Sequence, residues 1–204
     1  MDKLSRRMFL ETTAAGVAAA AVPIDLDADR GQAAGAEAPV PRTVMHVRVN
    51  GQPHRIEVED RWTLAELLRD HLHLAGTKIG CDRGECGVCT VLLDGAPVYA
   101  CSYLAVWADG ASVETVEGLA QGGRLHPVQR AFIEHDAPQC GFCTSGQLMS
   151  AKALLDANPQ PSAAEARAAL AGNLCRCSNY NQYVAAVVAA GASSRPAGPA
   201  SDST

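Results

Sequence analysis

Apolar and polar residues alternate one for one over residues 44–49, with Met45, Val47 and Val49 on one side and His46 and Arg48 on the other. That is the period of a half-buried strand. Asn50-Gly51 follows as a two-residue turn signal, and a return strand carries Ile56 and Val58. Thr63-Leu64-Ala65-Glu66 is a capping box that predicts a helix with Leu64, Leu67, Leu68 and Leu72 near one face, ending before Gly76. Residues 90–98 predict a second hairpin through Asp94-Gly95, and residues 112–116 a last strand. Strands, helix, loop and strands in that order predict a β-grasp sheet.

The pattern changes after a polar, glycine-rich stretch at residues 118–124, which reads as a junction. From there the apolar spacing is helical. A first helix starts at Pro127 and carries Val128, Ala131 and Phe132. A second opens at Thr144-Ser145-Gly146-Gln147, read as a capping box, with Leu148, Met149, Leu154 and Leu155 as core residues. A third starts at Ser162-Ala163-Ala164-Glu165 and ends near Ala171, with Gly172 suited to terminate it. A fourth, near residues 182–190, presents Tyr183, Val184, Val187 and Val188. The fold class is therefore α+β: a β-grasp domain over residues 43–118, a junction at 119–124, an all-α four-helix domain at 125–190, and a tail at 191–204 whose Ala, Ser, Pro and Gly predict disorder.

Residues 1–36 read as an address. Ser5-Arg6-Arg7 precedes an Ala/Gly/Val run that ends at Pro23, and the whole resembles a twin-arginine signal peptide, with a linker at 37–42. The apolar run is too short to span a bilayer, so no permanent membrane anchor is expected. Export by the twin-arginine route, to the periplasm or beyond, carries proteins already folded around their cofactors.

Composition sharpens the picture at one point. The chain has 204 residues and a formal net charge of -5, with no basic stripe to track a phosphate backbone, so nucleic acid is not an expected partner. It has eight cysteines, none before position 81. The first group is Cys81, Cys86, Cys89 and Cys101, spaced as the plant-type pattern for a 2Fe-2S cluster. Gly80, Gly84 and Gly87 let the backbone approach such a cluster and aim N–H groups at its sulfurs. The second group, Cys140, Cys143, Cys175 and Cys177, punctuates helix ends, so that four ligands converge from two loops near the positive end of the second helix. Two 2Fe-2S clusters account for all eight.

Disulfides and zinc are the alternatives. Cys175 and Cys177 are too close in sequence to pair comfortably, and a zinc site built on Cys86/Cys89 and Cys140/Cys143 leaves Cys81 unexplained. A Rieske centre needs two histidines, and no histidine falls within a cysteine motif. His71 and His73 face apart on a helix end, and Trp62 and Trp107 read as packing residues. Asp82 and Glu85 read as solvated loop carboxylates, and no catalytic residue is assigned.

With both cysteine groups in view, residues 43–190 resemble the iron-sulfur subunit of the molybdenum hydroxylases, the xanthine dehydrogenase and aldehyde oxidoreductase family, with the exported aldehyde dehydrogenase type as the nearest match. The resemblance is carried by GCDRGECGVCTVLLDG, Cys101, HPVQRAFIEHDAPQCGFCTSGQLMSA and AGNLCRC, in the family's order and spacing. It implies a plant-type ferredoxin domain followed by the helical 2Fe-2S domain. It also implies a large partner subunit with a molybdenum pterin cofactor that hydroxylates aldehydes or N-heterocycles, and a flavin subunit or cytochrome as acceptor. The Cys140 set would lie next to molybdenum, the Cys81 set further out, and Gln139 would touch the pterin. After Cys177 this chain has Ser178-Asn179-Tyr180-Asn181 where relatives commonly have a Thr-Gly-Tyr-like turn, in a region expected to face the large subunit. The rival function is a free-standing ferredoxin-type carrier, which would run as a monomer.

The address reading makes a prediction. Changing Arg6→Lys together with Arg7→Lys should hold the folded protein in the cytoplasm, as judged by cell fractionation. Normal export of the double variant would refute the twin-arginine route.

Overall fold

Strand β1 (Arg42–Val49) runs into β2 (Gln52–Glu59) through Asn50 and Gly51, whose φ angles of 49° and 82° are the left-handed pair that matches the twist of the flanking strands. The computed structural model describes residues 39–193, so the segment read as an export signal and residues 194–204 of the tail lie outside the described residues. A second hairpin, β3 (Thr90–Leu93) and β4 (Ala96–Tyr99), turns at Asp94 and Gly95 in the same way. Strand β5 (Ser112–Glu114) lies between the hairpins, parallel to β1 and antiparallel to β3, giving a mixed five-stranded sheet in the order β2-β1-β5-β3-β4. Asn50 ties the centre together: its Oδ1 accepts the Thr115 N–H at 2.8 Å and its Nδ2 donates to Thr115 Oγ1 at 2.9 Å. Pro97 sits in edge strand β4, where a missing N–H costs least.

Met45, Val47, Val49 and Val58 form the buried face of the sheet against α1 (Leu64–Glu66) and the turn after it. The capping box forms as read, with the Glu66 N–H on Thr63 Oγ1 at 3.2 Å and the Thr63 N–H on Glu66 Oε2 at 2.6 Å. The helix beyond it does not. After one α turn the chain widens into a π turn at Leu67–His71, closed by the Leu72 N–H on the Leu67 carbonyl at 3.0 Å. Leu64, Leu67 and Leu68 are buried and Leu72 is half-buried. Arg69 then donates to the carbonyls of Ala75 and Thr77, tethering the segment that leads to the first cysteines. Trp62 packs as read, stacked on His71 at 3.7 Å, but Trp107 is 61% exposed and meets Tyr103 edge-on.

Helix α2 (Pro127–Glu134) is capped by His126, a residue type outside the usual N-cap set: its Nδ1 accepts the Val128 N–H at 3.3 Å while Gln129 Oε1 accepts the His126 N–H at 2.9 Å. Helix α3 (Thr144–Ala157) corrects the expected capping box. Its N-cap is Cys143, no side chain caps it, and the Thr144 hydroxyl and the Gln147 amide bond elsewhere. Helix α4 (Ala163–Leu170) has the Ser162/Glu165 box as read, and α5 (Tyr180–Ser193) is longer at both ends than its spacing predicts. Gly172 is not a positive-φ terminator. It lies where a Cβ would overlap the Tyr99 hydroxyl, which donates to the Gly172 carbonyl at 3.1 Å.

Val128, Phe132, Met149, Leu170, Tyr183 and Val187 make a second core among the helices. The two cores meet across β3: Val91 belongs to the sheet core and Leu92 to the helical one, because side chains alternate faces every residue. Residue 146 seals this junction, where a methyl on Gly146 would overlap the Gly87 carbonyl oxygen and press on Val88.

In an open helix, Gly→Ala stabilises by about 1 kcal/mol. Here the sign should reverse: Gly146→Ala forces the cysteine-bearing loop away from α3 and should destabilise by about 1–3 kcal/mol. Urea denaturation of the iron-loaded protein measures this, and an unchanged or raised midpoint would contradict the packing described.

Candidate metal centres

The first four cysteines are placed by a loop without regular structure and by the second hairpin. Asp82, Gly84 and Gly87 take φ of 55°, 75° and 67°, which folds residues 80–89 tightly enough for backbone to face sulfur. The Cys81 N–H reaches Cys86 Sγ at 3.4 Å, and the Glu85 N–H reaches Cys81 Sγ at 3.3 Å. Gly80 supplies room, since a Cβ there would stand 3.0 Å from Cys86 Sγ. Cys89 directly precedes β3 and Cys101 lies in the 3-10 turn Ala100–Ser102, both buried, with Ser102 Oγ at 3.6 Å from Cys101 Sγ.

The second four come from the loops before α3 and α5. Cys140 is exposed, Cys143 and Cys175 are buried, and Cys177 is intermediate. Asn179 joins the two loops: its Nδ2 donates to the Asp136 and Ala137 carbonyls at 2.8 and 2.5 Å, while Gln139 Nε2 donates to its Oδ1 at 3.3 Å. The Tyr180 hydroxyl accepts the Cys175 N–H at 2.8 Å. Ser178, exposed at φ 61°, turns the chain between them. Asn179 is thus a buried brace, not a surface residue of the region expected to face a partner. Gln139 is exposed beside Cys140.

All eight cysteines are free of disulfides. Their side chains stand two and two: Cys81 with Cys86, Cys89 with Cys101, Cys140 with Cys177, and Cys143 with Cys175. Among the described residues no group of three or more His, Cys, Asp or Glu side chains could hold a metal ion alone. Within each set the pairs lie near enough for Cys86 to add to the raising of the Cys89 thiol and Cys140 to that of Cys143. Two pairs side by side suit a dinuclear centre in which each iron takes two thiolates.

Acidity follows the same split. The backbone N–H groups of Arg83 and Glu85 bring the Cys81 thiol down to about 7, and the Phe142 N–H and the Cys177 thiol lower that of Cys140. Burial pushes Cys89 up to about 12 and Cys143 up to about 11, the latter against the opposing pull of the Tyr183 hydroxyl. Cys177 feels a stabilising N–H from Cys140, but the Cys140 thiol and partial burial raise it. Burial likewise raises Tyr183, which stays protonated. Fit to a 2Fe-2S group is good: each set offers four thiols, backbone donors aimed at sulfur, and a glycine-cleared or uncapped approach. Ser145 Oγ, in the uncapped first turn of α3, is buried without a partner among the described atoms.

Between the sets lies a buried polar clasp whose role the motif AGNLCRC did not reveal. Asn173 Nδ2 donates to the Gly87 carbonyl at 2.7 Å and to Thr90 Oγ1 at 3.2 Å; its Oδ1 accepts Ser150 Oγ at 2.8 Å, and its carbonyl accepts Gln147 Nε2 at 2.9 Å. Next to it, the Leu174 N–H donates to the Cys86 carbonyl at 2.9 Å. One hydrogen bond therefore links Cys86 to the residue adjoining Cys175. Its polar side chains, Thr90, Gln147, Ser150 and Asn173, are scattered along the chain, and no periodicity in the sequence marks them as buried.

Two 2Fe-2S-holding halves in one chain define an iron-sulfur protein, and comparison agrees. Residues 47–120 match the family described as 2Fe-2S iron-sulfur cluster binding domain, and residues 115–188 match the [2Fe-2S] binding domain. The chain is 54% identical over 143 residues to the 6-hydroxypseudooxynicotine dehydrogenase complex subunit beta of Paenarthrobacter nicotinovorans, covering 70% of this chain and 89% of that one. It is 42% identical over 201 residues to the aldehyde oxidoreductase iron-sulfur-binding subunit of Escherichia coli O157:H7, covering 90% and 86%. Among solved structures, quinoline 2-oxidoreductase from Pseudomonas putida 86 superposes with a TM-score of 0.72 at 47% identity, covering 74% of this chain and 95% of that one. The chain belongs to the iron-sulfur subunits of the molybdenum hydroxylases.

In the folded protein freed of iron, iodoacetamide at neutral pH should alkylate Cys140 and Cys81 first, because they are accessible and carry lowered pKa values. Cys89 and Cys143 should react last, and mass spectrometry of timed digests reads the order. Equal labelling of all eight would refute the asymmetry.

Proposed function

We infer that this chain is the electron-transfer subunit of a molybdenum hydroxylase complex, carrying two 2Fe-2S clusters between a molybdenum-pterin catalytic subunit and a flavin subunit or other acceptor. The observation that carries the reading is the Leu174 N–H on the Cys86 carbonyl, which brings the two cysteine sets into one hydrogen-bonded framework. Bound 2Fe-2S clusters supply one-electron redox chemistry, and this chain itself makes or breaks no substrate bond. Its relatives are named as subunits of dehydrogenase and oxidoreductase complexes, which favours this role over a free-standing ferredoxin-type carrier.

The β-grasp half would hold the outer cluster with Cys81, Cys86, Cys89 and Cys101, and the four helices the inner one with Cys140, Cys143, Cys175 and Cys177. Exposed Cys140, together with Phe142 at 51% and Leu174 at 56% exposure, offers an apolar-rimmed contact for the catalytic partner. Gln139, held near Cys140 through Asn179, would reach the pterin across that boundary. The residues of each half then divide the work. Cys143 and Cys175 keep one side of the inner set dry, while the Cys81 loop leaves the outer set near solvent for delivery. The partner's substrate class would be aldehydes or N-heterocycles. Residues 1–36 would direct export through the twin-arginine route to the periplasm; among the described residues no helix is long and apolar enough to cross a membrane.

Metal and sulfide analysis of the native complex should return about four irons and four labile sulfides per copy of this chain, since each dinuclear centre takes four thiolates. In rapid-freeze paramagnetic resonance, Cys86→Ser should disturb one signal while substrate still reduces the other. Cys143→Ser should instead block reduction of the outer centre by substrate. Zinc in place of iron, or an outer signal that fills at its normal rate in Cys143→Ser, would overturn the assignment.

A further inference from the structure

We propose that Tyr183 tunes the inner centre: its hydroxyl donates to the Cys143 sulfur and stabilises the reduced form of that centre over the oxidised one. The inference rests on Cys143 being a cluster ligand, as assigned above.

Tyr183 lies in the first turn of α5 and is 1% exposed, with its ring against Phe132 of α2 at 5.2 Å between centroids. Its hydroxyl oxygen stands 3.6 Å from Cys143 Sγ and 3.1 Å from Thr144 Oγ1. A ligating cysteine has given up its proton, so the sulfur can only accept, and the phenol must be the donor. The phenol oxygen is then free to accept from Thr144. The result is a directed chain from Thr144 to Tyr183 to Cys143, in a buried setting where each bond polarises the next. Among the described residues, the other cysteine sulfur with a side-chain hydroxyl beside it is Cys101, next to Ser102 on the outer set. A phenol is the more acidic and stronger donor, so the two centres are unequally served.

Reduction adds one negative charge, spread over iron and sulfur. A donor fixed on a ligand sulfur binds the more negative form more strongly and so raises the potential. An inner centre raised in this way accepts electrons from the catalytic partner more readily. A purely structural Tyr183 would fill the helical core with its ring and satisfy its hydroxyl by any buried contact. Tyr183→Phe separates the two roles, because it keeps the ring and removes the donor.

The test is a redox titration, followed by paramagnetic resonance, of the native complex carrying wild-type, Tyr183→Phe or Thr144→Val chains, with iron content measured alongside. In Tyr183→Phe one of the two 2Fe-2S signals should show its reduced-to-oxidised ratio at a fixed potential fall about tenfold, the loss of roughly one charged-acceptor hydrogen bond. That is a shift of about 59 mV for a one-electron couple. The other signal should stay in place, and Thr144→Val should move the same signal the same way by less. Unmoved potentials in an iron-replete Tyr183→Phe complex overturn the proposal. If Tyr183→Phe fails to take up iron, Thr144→Val decides: a lowered potential of one signal supports it, and no shift overturns it. A wild-type complex without 2Fe-2S signals would instead overturn the ligand assignment, and the tuning role with it.

Discussion

The Gly87 carbonyl is where the two halves of the molecule are joined. It accepts from Asn173 of the helical half and from Thr90 of its own hairpin, and Gly146 of α3 comes close enough that no side chain fits between. Each group in this clasp is buried, so an unmade bond would cost about 1–3 kcal/mol, whereas in water the same groups would be nearly indifferent. The low dielectric that makes the clasp costly to break also makes it directional. Everything that depends on the spacing of the two cysteine sets depends on this grip, including the contact between the Leu174 N–H and the Cys86 carbonyl.

The second constraint is electrostatic. To hold two clusters as proposed, the eight thiols would have to become thiolates, and burial opposes this most at Cys89 and Cys143. The chain answers with donors instead of cations. Backbone N–H groups face sulfur in the Cys81 loop and at Cys140, and α3 begins without a side-chain cap, so its positive end is left to the cysteines around it. Had Thr144 capped α3 as its sequence suggests, its hydroxyl would not be available to Tyr183. The apparent capping signal is therefore spent on tertiary contacts around Cys143.

Accessibility is graded along the same lines. Each cysteine set contains buried and more open members, so each half has a shielded side and a side toward solvent. In an electron-transfer subunit, such a gradient matches the need for both a fixed environment and an approach for a partner. The tight bracing of Asn179 on residues 136 and 137 keeps the open side in shape without filling it.

Features set by neighbours in sequence were legible without the structure. The turns at Asn50-Gly51 and Asp94-Gly95, the capping boxes at Thr63 and Ser162, and the grouping of the cysteines all follow from local backbone preference or local spacing. What needed the tertiary structure was every choice made between distant segments. The lost cap of α3 arises because remote partners, the Tyr183 hydroxyl and the Asn173 carbonyl, take the Thr144 and Gln147 side chains, and the π turn after Glu66, the exposure of Trp107 and the layers that β3 divides are equally features of the closed chain. The pairing of thiols two and two, the Asn173 clasp and the reach of Tyr183 to Cys143 join residues up to 86 positions apart. Local spacing carries no information on such contacts, because packing and the satisfaction of buried polar groups are decided only when the chain has closed on itself.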